Sequence, residues 1–493
     1  MKKKLSTLLN GISVLKHVGD RDITISGLTE NSRLVKPGFL FVAVRGVLMD
    51  AHQFIPQAID NGAVAIVGEE DPEKLELKHT TYIQVPDSRK ALGFLASNWY
   101  DNPSEKLTVI GVTGTDGKTT TVNLLYAMLR QAKRRVSMIS TVNAKINGRA
   151  YETGLHTTNP DALPLQKLLS LMVKKQQEIA ILETTSEGIA QERVAGVKYH
   201  MAIITNITPE HLNYHKTFEN YRDTKARLFE NTEVNILNAD DPSYDILKNK
   251  TQKGSTILSY SITNKTDLYA SDITMQTKGM HFLMHEHTKT IPFTTKLTGT
   301  YNIQNILAAA TAARSLGVTW EDIQSAVKKF TGITGRMEIM QEKPVRVLVD
   351  FAHTTNALEQ ALTTVRKTTK GKLIVVFGCA GQRDATKRPE MARVATRLAD
   401  MSIFTLEDPR HEPLTDIFDQ MVSGVVSDKY NIIEDRGEAI EQAITQAQPG
   451  DTVIICGKGH EKSLAYRGVE YPWSDQEAVK KILKGEKVRL QWK

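Results

Sequence analysis

Short apolar runs alternate with amphipathic stretches along most of this chain. Leu107–Ile110 has the length and composition of a buried strand, and residues 122–132 carry their apolar side chains at helical spacing. Strands that alternate with helices in this way predict an α/β protein with mostly parallel sheets. The further predicted strands are Ile23–Leu28, Phe39–Val44, Ala63–Val67, Thr81–Val85, Arg135–Thr141, Ile179–Leu182, Met201–Thr205, Val234–Leu237, Val345–Asp350, Leu373–Phe377, Met401–Thr405 and Thr452–Ile455. The further predicted helices are Gln53–Asn61, Arg89–Tyr100, Pro164–Lys174 and Ile306–Leu316.

Breaks in this pattern divide the chain into three predicted domains. A chain of 493 residues is too long for one hydrophobic core. Residues 101–104 (D-N-P-S) are a cluster of helix and strand breakers, and residues 331–335 are a second candidate hinge. We predict a small α/β domain at 1–105, a central domain at 106–335 and a second doubly wound domain at 336–493. Within the central domain, residues 256–297 are predicted to form antiparallel strands.

A glycine-rich segment follows the strand Leu107–Ile110 and opens the next helix. Gly111–Thr121 reads GVTGTDGKTTT, with Val112 where the strict G-x-x-x-x-G-K-[ST] pattern has its first glycine. Glycines and free N–H groups at a helix start can wrap phosphate oxygens, with Lys118 reaching the terminal phosphates and the Thr119 hydroxyl binding Mg²⁺. A glycine-rich turn that binds nothing is the alternative, but Gly-Lys-Thr at the helix start favours a nucleotide site.

Polar residues follow several other predicted strands, where open α/β sheets bind their ligands. Glu183 and His211 could share a Mg²⁺ ion, because a hard cation accepts carboxylate and imidazole ligands beside phosphate oxygens. A single histidine is more often a surface or core residue. On spacing alone Lys225 is a solvated lysine, and Asn302 is as suited to capping a helix as to binding a ligand. The other candidates at these strand ends are Thr157, Thr158, Ser186 and His215.

Basic residues collect at strand ends in the last segment and on one loop of the first. Arg383, Lys387 and Arg388 follow one strand and Arg410 follows another, which predicts a cationic pocket. Arginine is suited to bidentate recognition of a carboxylate. In the first segment, Asn31-Ser32-Arg33 could hold a phosphate or a uracil, although spacing alone favours a turn with a solvated arginine.

Composition and charge exclude little. Hydrophobic residues make up 40% and charged residues 24% of the chain, and the formal net charge is +7. This charge suits anionic small molecules as well as nucleic acid, so it does not choose between them. The pattern after the N-terminal M-K-K-K predicts neither a signal peptide nor a membrane span. Cys379 and Cys456 have no metal-like spacing, and we expect a cytoplasmic protein.

Taken together, these motifs resemble the Mur ligases over nearly the whole chain. Gly111–Thr120 resembles the family's GVTGTNGKTT loop, with Asp116 where Asn is common, and Lys225 lies in a segment similar to the one that carries a carbamylated lysine. Some family positions differ, with Asn31 for Asp, Glu187 for His and Asn213 for Asp. The other similar segments are Glu183–Gly188 (ETTSEG, similar to EVSSHG), Thr205–His215 (TNITPEHLNYH, similar to TNLSPDHLDYH), Thr300–Asn305, Gly335–Glu338, Asp350–His353 and Gly457–Glu461.

The resemblance implies three substrate sites and a three-domain Mur ligase fold. The first domain would bind UDP-MurNAc, the central P-loop domain ATP, and the C-terminal Rossmann-like domain an amino acid. Lys118, Glu183, His211 and Lys225 would be catalytic, and Thr119, Glu183, His211 and a carbamate on Lys225 would hold Mg²⁺. The implied ATP-binding residues are Gly114, Thr115, Asp116, Gly117, Lys118, Thr119, Thr120, Asn302, Arg336, Asp350 and His353. The implied UDP-MurNAc-dipeptide residues are Ser32, Arg33, Thr157, Thr158, Ser186 and Arg193. The implied amino-acid residues are Arg383, Glu407, Asp408, Arg410, Gly457 and Glu461.

The implied reaction is ATP-driven amide formation on the D-Glu of UDP-MurNAc-L-Ala-D-Glu. Members of the family that add diaminopimelate carry a D-N-P-R motif, and Glu407–Arg410 (E-D-P-R) keeps its arginine but replaces Asn by Asp408. An arginine facing L-lysine would meet a like charge, so we expect meso-diaminopimelate as the added amino acid. Lysine or another amine, folate polyglutamylation, a P-loop ATPase acting on nucleic acid and a binding-only relative are the alternatives. We expect small-molecule partners only, no nucleic acid, no membrane insertion and a monomer.

Overall fold

The computed structural model describes residues 2–46, 49–153, 158–276 and 279–490. The strands of these residues form three large sheets and two small two-stranded pairs. Each large sheet has helices and apolar clusters on both faces, as expected for α/β folds.

The first sheet has five strands in the order β2-β7-β6-β5-β4, and only β2 is antiparallel to its neighbour. Apolar side chains such as Leu40 and Phe41 alternate between two cores on its two faces. The helix that follows its last strand is capped by Asp87, whose side chain accepts a hydrogen bond from Lys90 N. The elements are β1 (Lys3–Lys4), α1 (Leu5–Leu8), β2 (Lys16–Val18), β3 (Thr24–Ile25), β4 (Gly27–Thr29), β5 (Phe39–Val42), α2 (Ile55–Asp60), β6 (Ala63–Gly68), β7 (Thr81–Gln84) and α3 (Ser88–Trp99).

The second sheet has eleven strands in the order β11-β10-β9-β12-β8-β13-β14-β15-β16-β17-β18. Its parallel part runs from β9 to β16, and the glycine-rich segment follows its central strand β8. The elements are β8 (Thr108–Thr113), α4 (Lys118–Gln131), β9 (Val136–Ile139), β10 (Ala144–Ile146), β11 (Arg149–Tyr151), α5 (Ala162–Lys174), β12 (Ile179–Glu183), α6 (Ser186–Ala190), β13 (Met201–Ile204), α7 (Leu212–His215), α8 (Phe218–Ala226), β14 (Val234–Asn238), α9 (Tyr244–Lys250), β15 (Thr256–Ser261), β16 (Leu268–Gln276), β17 (Gly279–Glu286), β18 (Lys289–Thr295), α10 (Thr300–Ser315) and α11 (Trp320–Lys329).

The third sheet has six strands in the order β19-β20-β24-β21-β22-β23, and all but β19 are parallel. Its four central strands, β20, β24, β21 and β22, are buried on both faces, which is why they read as continuous apolar runs. The elements are β19 (Glu338–Gln341), β20 (Arg346–Val349), α12 (Thr355–Arg366), β21 (Leu373–Phe377), α13 (Lys387–Leu398), β22 (Met401–Phe404), α14 (Leu414–Val422), β23 (Tyr430–Ile432), α15 (Arg436–Gln446), β24 (Thr452–Ile455), β25 (Ser463–Tyr466), β26 (Val469–Pro472) and α16 (Asp475–Leu483).

Apart from small differences at their ends, the predicted elements differ from the structure in two places. Ile23–Leu28 was one predicted strand but is two, β3 and β4, which belong to different sheets. Residues 256–297 were predicted as antiparallel, but β15 pairs in parallel with both β14 and β16, so only β16 to β18 are antiparallel.

The first and second sheets are joined by close apolar packing. A Cβ atom on Gly93 in α3 would lie 2.5 Å from the Ala195 Cβ, so the two segments touch at a position where only glycine fits. Ala162 at the start of α5 is part of the core of the first sheet. By contrast, the cores of the third sheet contain only residues from 337 to 490. Every helix in the described residues is too short or too polar to cross a membrane.

Candidate active site

The glycine-rich loop between β8 and α4 is tightly wrapped. Gly114 (φ 145°) and Gly117 (φ 83°) both have positive φ, and a Cβ on them would lie 1.9 Å from Thr205 Oγ1 and 2.2 Å from Asn305 Oδ1. Lys118 Nζ donates to the carbonyl oxygens of Gly114 (2.9 Å) and Thr115 (2.7 Å). Its ammonium therefore lies at the mouth of the loop, where burial lowers the pKa of Lys118.

Thr119 and Glu183 meet at the carboxyl ends of β8 and β12. The buried Thr119 hydroxyl is 2.9 and 3.1 Å from the two Glu183 carboxylate oxygens. Thr141, after β9, donates its N–H (2.8 Å) and its hydroxyl (2.8 Å) to the same carboxylate. A hydroxyl and a carboxylate beside a phosphate loop are hard oxygen ligands of the kind that Mg²⁺ prefers. Thr120 follows on the first turn of α4 and is partly exposed.

Lys225, a solvated lysine on spacing alone, is buried. It lies in the last turn of α8 with 1% of its surface exposed, and its Nζ donates to the Gly114 carbonyl oxygen at 2.9 Å. The Nζ also lies 4.4 Å from the centre of the Tyr221 ring. Burial and the nearby Lys118 charge lower the pKa of Lys225 well below its usual value. The interpretation as a solvated residue was therefore wrong.

His211 lies beside the carboxylate of Glu187. It has a φ of 56° before α7, and its Nδ1 is 3.5 Å from Glu187 Oε1. Burial, followed by the charge of Lys387, lowers the pKa of His211 to about 2, so the imidazole is neutral. Among the described residues, no group of three or more His, Cys, Asp or Glu side chains is arranged to hold a metal ion. His215 packs against Tyr221 with ring centres 5.3 Å apart, as a core histidine.

The third sheet brings several side chains to the glycine-rich loop. Arg336 Nη2 lies 3.3 Å from Thr119 Oγ1, and its guanidinium stacks 4.2 Å from the centre of the Phe351 ring. The Arg336 Nε is buried and has no hydrogen-bond partner within the described part of the chain. Asp116 Oδ2 accepts from Asn356 Nδ2 at 2.9 Å, and Thr354, the cap of α12, also contacts the Asp116 carboxylate at 3.4 Å.

Asp350 and His353 flank this arginine. The buried Asp350 carboxylate accepts the Met337 N–H at 2.6 Å, and burial raises its pKa against the opposing charge of Arg336. His353 Nδ1 is 2.8 Å from the Phe351 carbonyl oxygen, and burial lowers the pKa of His353 to about 3.

Asn302 does not cap its helix. The residue before α10 is Gly299, and no side chain caps the helix. Asn302 Nδ2 donates to the Thr298 carbonyl oxygen (2.7 Å), and its Oδ1 accepts from Asn305 (3.2 Å), which itself touches the glycine-rich loop at Gly117. The capping alternative was wrong. Asn302 contacts Asn305, which in turn contacts the glycine-rich loop.

The predicted dipeptide residues lie on both sides of the junction between the first two sheets. Ser32 donates to Gln57 Oε1 (2.8 Å), and Asn31 accepts from the exposed Arg33 N–H (3.0 Å). Thr158 contacts Thr141 through the two hydroxyls at 3.0 Å, and Ser186 is buried at the start of α6. Thr157 lies outside the described residues.

Arg193 completes this group. Its Nη1 donates to the Asn159 carbonyl oxygen at 3.0 Å, and its Nε is 3.3 Å from Asp161. Burial and Asp161 raise the pKa of Glu30, while Arg193 opposes this, so the loop that carries Ser32 lies within electrostatic range of Arg193.

The six predicted amino-acid residues cluster at the end of the third sheet. Burial lowers the pKa of Arg410, and the positive charge of Arg383 lowers it further. Arg383 Nη1 itself lies 3.6 Å from Glu187 Oε1. The Asp408 carboxylate accepts two hydrogen bonds from Lys458 Nζ, which also pairs with Glu461 at 2.5 Å. A Cβ on Gly457 (φ 106°) would lie 2.0 Å from Glu407 Oε2.

Glu407 is a buried acid with one oxygen left over. Its Oε2 has no hydrogen-bond partner among the residues that the structure describes, and burial raises the pKa of Glu407 to about 7 despite the charges of Arg436 and Lys458. The charge of Lys387 also opposes this rise.

Sequence models of Mur ligase domains match three stretches of this chain. The Mur ligase middle domain matches residues 112–313, the glutamate ligase domain 335–459 and the family's catalytic domain 24–100. The UDP-N-acetylmuramoyl-L-alanyl-D-glutamate–2,6-diaminopimelate ligase of Geobacillus thermodenitrificans is 40% identical over 472 residues, which are 93% of this chain and 94% of that protein. The chain belongs to the Mur ligase family.

Other Mur ligases match this chain over nearly its whole length. The corresponding ligase 1 of Clostridium acetobutylicum is 35% identical and covers 98% of this chain and 99% of its own. A solved structure with the same ligase name has a TM-score of 0.69 at 30% identity and covers 98% of this chain and 99% of its own. MurF from Thermotoga maritima, solved with ADP, shares the fold with a TM-score of 0.63 at 22% identity, covering 93% of this chain and 97% of its own.

The structure of this Mur ligase also adds contacts that sequence reasoning missed. Lys387 Nζ reaches from α13 to Glu210 Oε1 (3.0 Å) and the His353 carbonyl oxygen (2.7 Å). Thr141 was the end of a predicted strand, and its contact with Glu183 depends on strand order. The only signal in the sequence was that both Thr141 and Glu210 are polar residues just beyond apolar runs.

Proposed function

We propose that this Mur ligase joins meso-2,6-diaminopimelate to the γ-carboxylate of D-Glu in UDP-MurNAc-L-Ala-D-Glu and consumes ATP. Arg410 carries the choice of amino acid, and Arg383 adds positive charge to its surroundings. A distal carboxylate would offset the positive charge that acts on the buried Arg410 guanidinium, and diaminopimelate has this carboxylate whereas L-lysine lacks it. The names of relatives at 35–40% identity support the same choice.

The three substrates would divide among the three predicted domains. In this proposal residues 1–105, with Ser32 and Arg33, hold the UDP-MurNAc end, and residues 106–335 hold ATP. Residues 336–493 hold the amino acid and add the nucleotide contacts of Arg336, Asp350 and His353. Thr157, Thr158, Ser186 and Arg193 would hold the dipeptide end between the first two.

Each step of the proposed chemistry has residues suited to it. The D-Glu carboxylate attacks the γ-phosphorus of ATP, which gives an acyl phosphate and ADP, while Lys118 and Arg336 balance the charge on the transferred phosphoryl group. The amine of the incoming amino acid then attacks the acyl carbon, and phosphate leaves. The Thr119 hydroxyl and the Glu183 carboxylate fit Mg²⁺, which would neutralise phosphate charge when bound. His211 would be a ligand for a second ion.

A carbamate on Lys225 is part of the proposal. Carbon dioxide reacts with a neutral amine, and a lysine whose pKa is lowered by burial is neutral in a larger fraction at pH 7. The product carries a negative charge next to Lys118 and could help to hold a metal ion. We also propose that the protein is a monomer and that it is located in the cytoplasm. Both cysteines are free and buried, which suits a reducing compartment.

Phosphate release with UDP-MurNAc-L-Ala-D-Glu and ATP tests the proposal. We expect release with meso-diaminopimelate well above release with L-lysine, D-lysine or no amine, and a tripeptide product of the expected mass. Equal or faster release with L-lysine would make lysine the substrate and would overturn the choice based on Arg410. Release that requires nucleic acid, or none with any amine, would overturn the ligase proposal itself.

A further inference from the structure

The turn after β22 presents the arginine of the proposed carboxylate site. Asp408 and Arg410 have φ values of 39° and 54°, which are uncommon for residues other than glycine. The turn is held on two sides, because Gly381 N donates to the Asp408 carbonyl oxygen (3.0 Å) and Arg410 N donates to the Ala465 carbonyl oxygen (3.0 Å). Arg410 Nη1 donates in turn to the Gly381 carbonyl oxygen at 2.6 Å. The position of the guanidinium thus depends on this turn.

The Asp408 side chain points away from solvent and into a buried ion pair. Lys458 Nζ lies 2.9 and 2.8 Å from its two oxygens, and the Ala465 N–H donates to Oδ1 at 2.8 Å. Asp408 is 4% exposed and Lys458 is 0% exposed. The acid that replaces asparagine in the D-N-P-R pattern is therefore paired, and its charge is balanced inside the protein.

Asp408 and Arg410 nevertheless influence each other. The pKa of Arg410 is lowered by burial and by Arg383, whereas Asp408 raises it. For Lys458, burial acts to lower the pKa, but Glu461 and Asp408 outweigh it and the pKa is raised. Removing the lysine charge would leave a buried carboxylate that also acts on Arg410, two residues along the chain.

We propose that Lys458 is a positioning residue for amino-acid recognition, because it neutralises Asp408 and leaves the Arg410 guanidinium to the carboxylate of the substrate. The substrate class is an amino acid with a second, distal carboxylate. This inference rests on the proposed function for the identity of that amino acid. The pairing of Lys458 with Asp408 holds for any amino acid that the site accepts.

Three variants test the inference: K458M, D408N and the double variant D408N/K458M. In K458M we expect the KM for meso-diaminopimelate to rise about tenfold or more, with kcat within about threefold, because substrate binding must compete with Asp408 for Arg410. In the double variant neither position 458 nor position 408 carries a charge, and the KM should recover at least about threefold relative to K458M. The single variant D408N completes the double-mutant cycle, in which K458M should raise the KM at least about threefold less in the D408N background than in the wild-type background.

Two controls separate this role from a purely structural one. The KM for ATP should be unchanged in all three variants, and the preference for diaminopimelate over L-lysine should fall in K458M and recover in D408N/K458M. An unchanged KM in K458M, or a double variant as impaired as K458M, would overturn the inference.

Failure of the proposed function would be visible in the wild-type protein, as absence of turnover with meso-diaminopimelate. The pairing is then judged from thermal unfolding midpoints. A double variant that melts above K458M supports the pair, and one that melts at or below K458M refutes it.

Discussion

Lys387 links the central and third sheets through a largely buried ion pair, and replacing it by methionine tests whether this contact closes the enzyme. Its ammonium lies 3.0 Å from Glu210 Oε1 and 2.7 Å from the His353 carbonyl oxygen. The two side chains are 12% and 4% exposed. When the third sheet moves away from the central sheet, the Lys387 ammonium and the Glu210 carboxylate both become exposed to water. The K387M substitution therefore penalises the closed state and leaves the open state unaffected.

The size of the penalty follows from burial. Removing one partner of a buried pair costs about 3–5 kcal/mol because the remaining charge has no counterion. At about 1.4 kcal/mol per factor of ten, the closed population would fall about a hundred- to several thousandfold. We expect a loss of this order in kcat/KM for ligation if closure is needed to bring the amine to the acyl phosphate.

The loss should depend on pH, because Glu210 can accept a proton instead. Burial raises the pKa of Glu210, and the charge of Lys387 opposes that rise. Without the lysine the pKa in the closed state rises further, while in the open state it is near that of a solvated carboxylic acid. Glu210 therefore binds a proton more tightly in the closed state than in the open state, so lowering the pH favours closure. The activity of K387M relative to wild type should therefore improve as the pH falls.

The matched control is the double variant E210Q/K387M, which buries no unpaired charge. We expect it to recover at least about tenfold in kcat/KM over K387M and to lose the pH dependence. Small-angle scattering with ATP and the UDP-dipeptide should give a larger radius for K387M than for wild type. A K387M variant with wild-type kcat/KM, or a double variant no better than K387M, would refute the reasoning.

Four further predictions address the site and its support. Lys118→Ala should abolish ATP-dependent ligation with an unchanged circular dichroism spectrum, and full activity would remove our account of the loop. Wild-type activity should fall in CO₂-depleted buffer and recover with bicarbonate, whereas Lys225→Ala should be inactive and unresponsive; equal wild-type activity in both buffers would argue against the carbamate. Arg410→Ala should raise the KM for diaminopimelate and reduce its preference over L-lysine, and an unchanged preference would exclude Arg410 from recognition. Arg436→Met should destabilise the third sheet by about 3–5 kcal/mol in urea unfolding, because it removes the charge partner of the fully buried Asp475. The double variant R436M/D475N should recover part of this loss. A loss below about 1 kcal/mol in R436M would contradict the estimate.

The central strands of the parallel sheets could be predicted because they are buried on both faces. Leu373–Phe377 and Thr452–Ile455 match their predictions to the residue, since a continuous apolar run has clear ends. Strand direction was harder, and β15 shows why. Its alternation of apolar and polar side chains is the same whether its neighbours run parallel or antiparallel, so only the connections around it decide.

The site was less accessible to sequence reasoning, because it is built from distant segments. Lys225 has charged neighbours in sequence, and nothing local reveals that the Gly114 carbonyl and the Tyr221 ring enclose it. Only the resemblance to a family corrected that interpretation. Lys387 was assigned to a cationic pocket, yet its partner Glu210 lies 177 positions away, a pairing that depends on how the sheets meet.

The glycine contact between Gly93 and Ala195 has a consequence for the order of events during turnover. Because α3 is held against the central sheet at a position without room for a side chain, the first and second sheets form one preassembled platform, on which the proposed sugar-peptide and nucleotide sites would lie. The third sheet meets that platform through polar contacts, such as Lys387 with Glu210, that water can replace. We therefore expect a compulsory sequence in which the nucleotide and the sugar peptide bind first and the amine last, which product-inhibition patterns would record. In such a sequence the acyl phosphate can form before the amine binds, so its lifetime depends on the exclusion of water from the platform.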